Sequence, residues 1–212
     1  DKVRSADATN ALHADVHEIL TWPGQPTRLW TTNDGGVWRS IDKGDNWVNV
    51  NSNLQLTQFT ACDLHPTNPN WAYGGSQDNG TEGALGSLVW KHLDFGDGGF
   101  ALIDQANPSN LVHTYYNQSN NLIGVGYTTN GFNTTMGNYL GSFASSNGIA
   151  IADRVLFYAP IHLDRGVSST LYFGTHKLYR ASNFFAGSNF AVLAGGQDLT
   201  GGAGTNGRLS AI

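Results

Sequence analysis

The side chains of this sequence that could do chemistry form a small set. His13-Ala-Asp15-Val-His17 puts two imidazoles and a carboxylate at alternate positions. On a strand, alternate side chains share one face, so His13, Asp15 and His17 are the candidate ligands of a divalent metal, completed by another acid. Three further acids stand in glycine-rich turns: Asn33-Asp34-Gly35-Gly36, Gln77-Asp78-Asn79-Gly80 and Gly96-Asp97-Gly98-Gly99. Asp34, Asp78 and Asp97 are the candidate catalytic carboxylates, because glycosidic hydrolysis uses two carboxyl groups, about 5–5.5 Å apart in retaining enzymes and about 6.5–9.5 Å in inverting ones. The same positions could bind without reacting. Asn33, Gln77 and Asn79 offer planar amides to sugar hydroxyls beside those acids. Tyr115 offers a ring face, as do Trp22, Trp30, Trp38, Tyr116 and Tyr158. The plainest alternative is that these Asp, Asn and Gln side chains cap turns. Turn capping, glycan binding and metal binding therefore all stand as expectations for this set.

Other chemistries find no residues. There is no GxxxxGK[ST], no HExxH and no GxSxG, and no GxGxxG follows a strand-like run. The single Cys62 excludes an internal disulfide framework and a multi-thiolate zinc site, and is expected to be a small packed residue. With 11 Lys+Arg against 16 Asp+Glu and no basic run, the chain lacks the clustered cations that a nucleic-acid partner requires. No apolar run approaches the roughly 18 residues of a membrane span, so no transmembrane segment is expected. No cofactor is expected; a divalent cation is the one candidate.

The elements that must position these residues repeat along the chain. Arg28–Asp34, Trp71–Asp78, Leu111–Asn117 and Thr170–His176 are β-like runs ending in a polar turn, and Pro-bearing turns precede the first three. Pro26, Pro69 and Pro108 are 43 and 39 residues apart, the spacing of β-propeller blades with four short strands each. Charged residues are 13%, against about 25% in an average domain, and Gly is 27 of 212. This composition suits tight turns joining aromatic-rich strands. The expected fold is all-β, a β-propeller of four-stranded antiparallel blades, about four here and part of a larger propeller. The units are 11–54, 55–99, 100–144 and 145–208, with 209–212 opening another blade. In the first unit the expected strands are 17–22, 28–33, 36–41 and 47–51. The later units open at 58–65, at 100–104 and near Ile149 or Val155. The starts of first strands and the ends of second strands share one rim, which collects the candidate residues together with Gln58, Asn117 and His176.

Ser40-Ile-Asp42-Lys-Gly44-Asp-Asn46-Trp47 fits the Asp-box pattern Ser-x-Asp-x-Gly-x-Thr-Trp, with Asn46 in place of Thr. Thr128–Thr135 and Ala181–Ser188 occupy the corresponding place after a third strand, but are degenerate. With His13–His17, Asn33–Ser40, His65–Asn70, Gly74–Thr81, Gly96–Gly99 and Leu171–Arg180, the chain resembles the secreted bacterial Asp-box (BNR-repeat) propeller proteins, glycosyl-hydrolase-like or sortilin-like. The resemblance runs from about His13 to Ile212. It implies a propeller, an extracellular or cell-surface location and a link with glycans, with Ser40, Asp42, Gly44 and Trp47 as structural Asp-box residues. In xyloglucanase-like propellers an early Thr-Asp-x-Gly-Gly segment carries a catalytic Asp. Here Thr32-Asn33-Asp34-Gly35-Gly36 puts Asn at that place, and Asn cannot transfer a proton. The sialidase cluster of three Arg is not recognisable. The expected function is therefore a binding or scaffold module for glycan or protein, with a glycoside hydrolase-like enzyme using rim carboxylates as the alternative. Its expected partners are that ligand and the remaining propeller blades or a partner chain.

Overall fold

The computed structural model describes residues 12–13, 15–51, 57–115, 124–133, 138–141, 147–202, 204 and 206–212. Sixteen strands are present among them, and they form four sheets of four. The first sheet is β1 (Val16–Trp22), β2 (Gln25–Asn33), β3 (Gly36–Ser40) and β4 (Val48–Asn49). The second is β5 (Ala61–Leu64), β6 (Trp71–Ser76), β7 (Gly80–Leu85) and β8 (Lys91–Asp94). The third is β9 (Gly98–Ile103), β10 (Leu111–Tyr115), β11 (Gly124–Thr128) and β12 (Asn138–Gly141). The fourth is β13 (Ile161–Leu163), β14 (Leu171–Gly174), β15 (Leu178–Ala181) and β16 (Ala191–Val192). In every sheet the strands are consecutive in the chain, neighbours in space and antiparallel. Four such up-and-down sheets in series are blades, and the fold is an all-β propeller fold. No described helix is long and apolar enough to cross a membrane.

Two units are distinguished, Asp1–Thr57 with the first sheet and Gln58–Ile212 with the other three. In the first unit, the β3–β4 turn is built by side chains. Ser40 Oγ donates to Asp42 Oδ1 (2.8 Å) and accepts from the Gly44 amide (2.9 Å). Asp42 accepts the Asn46 amide at Oδ1 (2.9 Å) and the Asn46 side chain at Oδ2 (2.6 Å). These Asn46 bonds, with the Ser40 hydroxyl, hold the Asp42 carboxyl down at a pKa of about 2. Trp47 is buried with its ring against Gly44. The Asn46 side chain thus does here what a Thr hydroxyl would do.

The second unit owes its core to strand alternation. Every residue of Leu111–Thr114 is buried. Leu111 belongs to an apolar cluster with Tyr73, Leu93, Ala101, Ile103 and Phe132. Its neighbour Val112 belongs to another, with Val125, Leu140, Ile161, Leu171 and Phe173. β10 is therefore a central strand with a core on both faces. Full burial of each such side chain stabilises the fold by roughly 1.5–3 kcal/mol.

Turns at one end of the sheets recur with different residue types. His65 Nδ1 accepts the amides of Thr67 (3.2 Å) and Asn68 (3.0 Å). Asp104 Oδ1 accepts those of Ala106 (3.0 Å) and Asn107 (3.4 Å), and Asp164 Oδ1 those of Gly166 (2.8 Å) and Val167 (3.1 Å). In the first, third and fourth sheets the turn after the third strand returns to the loop between the first two or to the start of the second: the amides of Lys43, Gly131 and Phe184 donate to the carbonyls of Thr27, Ser109 and Ser169. The segments after Thr128 and Ala181 thus occupy the place of the 40–47 turn, although they form short 3-10 turns at Gly131–Asn133 and Phe184–Ala186.

Three expectations change. The fourth sheet opens at Ile161, not near Ile149 or Val155, because those two residues are buried in the core from a turn-rich segment and pair with no strand. Cys62 is exposed rather than packed, since β5 turns Cys62 and Leu64 outward and Ala61 and Asp63 inward. Residues 209–212 form no strand; the Leu209 amide donates to the Thr175 carbonyl (2.7 Å), and Leu209 and Ile212 lie against Gly174.

Candidate functional site

Register decides which candidates can meet. In the first unit Asn33 pairs with both Val16 and Gly36, so the entry to β1 and the β2–β3 turn lie at one end of the sheet. His17 Nε2 and Asp34 Oδ1 are 2.5 Å apart there. Carboxylate oxygens of Asp15 and Asp34 lie within 4.8 Å. Asn33 is buried and accepts the Gly35 amide at Oδ1 (3.0 Å), while Asn51 spans the turn from the Gly35 carbonyl (2.8 Å) to the Val37 amide (2.7 Å).

The alternation expected for His13, Asp15 and His17 does not hold. Asp15 has a left-handed backbone (φ 58) just before β1, and the register slips again between Val16 and Glu18. A left-handed residue ahead of the strand breaks the period-two rule, so alternation does not assign His13 to the face of His17. Its side chain instead lies against Gly35, where an added Cβ would come within 2.7 Å of His13 Cβ. Asp15, Asp34 and His17 lie together in this unit, a mixed oxygen and nitrogen set that could hold a cation.

In the second unit Thr81 pairs with Asp94, and Tyr115 with Gly98. The Gln77–Asn79 turn, the Phe95–Asp97 link and Tyr115 therefore share one end. Asp97 Oδ1 accepts the Asp78 amide (2.8 Å), fixing a turn in which Asp78 is left-handed (φ 62). Asn79 Nδ2 donates to the Gln77 carbonyl (3.1 Å). An added Cβ on Gly75 or Gly98 would strike the backbone of Gly99 or Gly80, so these glycines permit direct backbone contact between the second and third sheets. Tyr158 packs its ring on Gly99. Burial, then the charges of Asp97 and Asp78, pushes its phenol well above the usual tyrosine range. Tyr115 sits against Tyr139, with ring centroids 6.0 Å apart. His176 is buried, with Nδ1 accepting the Arg154 amide (3.2 Å), and so is not an open rim group. Gln58 is exposed, and its carbonyl accepts from Ser76 Oγ (3.1 Å). Asn117 and Tyr116 lie outside the described residues.

A buried string lies beneath this end. His113 Nδ1 meets Tyr73 Oη (2.8 Å) and its Nε2 meets Asp94 Oδ2 (2.8 Å). Asp94 Oδ1 accepts Tyr139 Oη (2.9 Å) and the Phe95 amide (2.9 Å). An ionised carboxylate only accepts, so Nε2 carries the proton and Nδ1 accepts from Tyr73. Burial alone would raise the Asp94 pKa. The hydrogen bonds from His113, Tyr139 and the Phe95 amide outweigh it and hold the carboxyl below the usual range. Gly126 makes room, since a Cβ there would collide with the imidazole. A second string serves the fourth sheet: Asp153 accepts Thr175 (2.9 Å), Tyr179 (2.6 Å) and Lys177 (2.7 Å). Burial and the Asp153 bond push Tyr179 up to about 12. Sequence reasoning missed both strings. The available signal was a His flanked by apolar and hydroxyl residues in Leu111-Val-His-Thr-Tyr115, with Gly126 on the next strand.

No protein-family profile matches the chain, and no curated protein matches it. Among solved structures the chain is similar to an ancestral GH74 enzyme (19% identity, 87% of this chain and 24% of that one, TM-score 0.49). It is also similar to a GH74 enzyme of Niastella koreensis (15%, 85% and 30%, TM-score 0.44) and to the GH74 xyloglucanase of Xanthomonas campestris (11%, 80% and 28%, TM-score 0.43). The chain thus spans about a quarter of the length of the first of these enzymes. The propeller class rests on the order and register of the chain's own sheets.

Proposed function

We propose that the chain is a secreted or cell-surface propeller module of the Asp-box type that binds glycan through polar turns at the ends of its sheets: the β6–β7 turn in the second unit and, taken by itself, the β2–β3 turn in the first. The observation that carries this is the chemistry of those turns, each in its own unit. Asp15, Asp34 and His17 in one unit, and Gln77, Asp78, Asn79 and Asp97 in the other, are groups that bond hydroxyls, set in turns held by their own hydrogen bonds. Carboxylates and carboxamides together both accept from and donate to a polyhydroxylated ligand. The β1 strand exposes Ile19, Leu20 and Trp22, whereas the equivalent β9 is largely buried by its neighbours. A further blade, from this polypeptide or a partner chain, would cover those side chains.

A hydrolase is the second reading, favoured by two neighbouring carboxylates, Asp15 and Asp34, whose oxygens lie within 4.8 Å of each other. The test is binding and turnover of plant, microbial and sialylated polysaccharides by the purified chain. Retention without turnover supports the module. Turnover abolished by Asp34→Asn or Asp78→Asn makes the protein an enzyme, and neither binding nor turnover refutes both.

A further inference from the structure

We propose that Phe95 is the stacking platform of a subsite for a neutral pyranose ring, at the end of the second sheet. The proposal rests on the glycan-binding function above and names the residue that would carry much of the affinity. Phe95 follows directly on β8, whose last residues Leu93 and Asp94 are buried, yet its own side chain is 79% exposed. It is not a frayed strand end. Its amide is held by Asp94 Oδ1 (2.9 Å), and Asp94 is itself fixed by His113 and Tyr139. The ring is braced edge-on by His92, with centroids 4.6 Å apart and planes at 67°. An apolar ring on a rigid root, left in water, is what a stacking site looks like before its ligand arrives.

The surroundings choose the ligand. Asp97, two residues on, is anchored by the Asp78 amide, and the Gln77–Gly80 turn abuts the same strand end: an added Cβ on Gly80 would come within 2.7 Å of His92 Nε2. A pyranose presents a face of C–H groups ringed by hydroxyls. Phe95 matches the face and Asp97 and Gln77 match the hydroxyls. The 77–80 and 92–99 segments contain no Lys or Arg, and Lys91 spends its ammonium on the Phe132 carbonyl. An acidic sugar would find carboxylates without a compensating cation, so the sugar is neutral.

The test is affinity electrophoresis and titration calorimetry of the full chain against xyloglucan, galactomannan and mixed-linkage β-glucan, for wild type, Phe95→Ala, Phe95→Tyr and Leu88→Ala. Leu88 is 78% exposed in the β7–β8 turn at the opposite end of the same sheet, and controls for lost apolar surface. Expected are binding by wild type, about tenfold or greater weakening by Phe95→Ala, and retention by Phe95→Tyr and Leu88→Ala, at unchanged melting temperatures. Equal binding by wild type and Phe95→Ala overturns the platform and leaves the glycan function standing. Equal weakening by Phe95→Ala and Leu88→Ala also overturns the platform, because the effect is then not local. A wild type that binds none of the three overturns the neutral subsite, and binding of sialylated glycans alone by that wild type would preserve the broader function.

Discussion

Replacing His113 by Leu should be among the most damaging single changes in the second unit. His113 is fully buried, and it joins Tyr73 of β6 and Asp94 of β8 to its own strand β10 through two bonds of 2.8 Å. Leucine fills a similar volume but offers neither partner a hydrogen bond. The Tyr73 hydroxyl loses its bond to Nδ1, worth about 0.5–1.5 kcal/mol. Asp94 keeps Tyr139 and the Phe95 amide but loses the donor to Oδ2, a hydrogen bond to a charged group that contributes about 1.5–3 kcal/mol. Greater apolar burial by leucine offsets part of this, leaving an expected net loss of about 2–3 kcal/mol. Against total stabilities of about 5–15 kcal/mol, that would move a urea midpoint far to lower concentration. The assay is equilibrium urea unfolding followed by tryptophan fluorescence, since Trp71 and Phe132 stack beside Tyr73. It should be run as a cycle with Asp94→Asn and the double variant. If the string is a unit, the two losses fail to add by about 1–3 kcal/mol. A His113→Leu loss below about 1 kcal/mol, or additivity within about 0.5 kcal/mol, would refute the account.

Three further outcomes are expected. Because the folded-state pKa of Asp94 is lowered, the unfolded chain binds more protons in acid; stability should fall as pH drops from about 4 through the folded value, and Asp94→Asn should flatten that slope in urea midpoints taken from pH 5 to 2. Asp42 has the same sign: its contribution to the 40–47 turn is present above about pH 4 and lost as pH falls through about 2, which amide exchange at Gly44 and Asn46 should report and Asp42→Ala should abolish at neutral pH. Gly98→Ala should lower the melting temperature more than Gly187→Ala, because a Cβ on Gly98 meets backbone of the facing sheet while Gly187 has open space around it, although its left-handed φ of 87 adds local strain; a milder effect at Gly98 would show that the facing sheets can part cheaply.

How much of this was legible depended on whether the signal was local. Proline punctuation and aromatic runs marked the strands because each acts within a few residues. The first sheet lies close to the expected strands, with β3 at Gly36–Ser40 and β2 extended back to Gln25. The fourth sheet was harder. His65 and Asp104 are 39 residues apart but Asp104 and Asp164 are 60, because a segment carrying Ile149 and Val155 intervenes and packs without pairing. The equivalence of His65, Asp104 and Asp164 is invisible to pattern matching, since an imidazole and two carboxylates share only the capacity to accept amide protons. The His13–His17 alternation failed for a local reason that sequence did not signal, a left-handed Asp15 where an ordinary strand residue was assumed.

The buried string was illegible for a different reason. His113 is 40 residues from Tyr73 and 19 from Asp94, so its role exists only once two sheets are face to face. That same distance makes it informative about the site. Asp94 turns one oxygen inward to His113 and gives the other to Tyr139 and the amide of Phe95. A single carboxylate therefore ties the contact between two blades to the exposed ring at their end. Loosening the inner half should let the outer half move before the sheets come apart. A substitution such as Asp94→Asn, which keeps an acceptor for the Phe95 amide but removes the charge, should separate the two effects: stability falls with the lost charged bonds, while the Phe95 ring keeps its position to the extent that the remaining carbonyl still holds its amide.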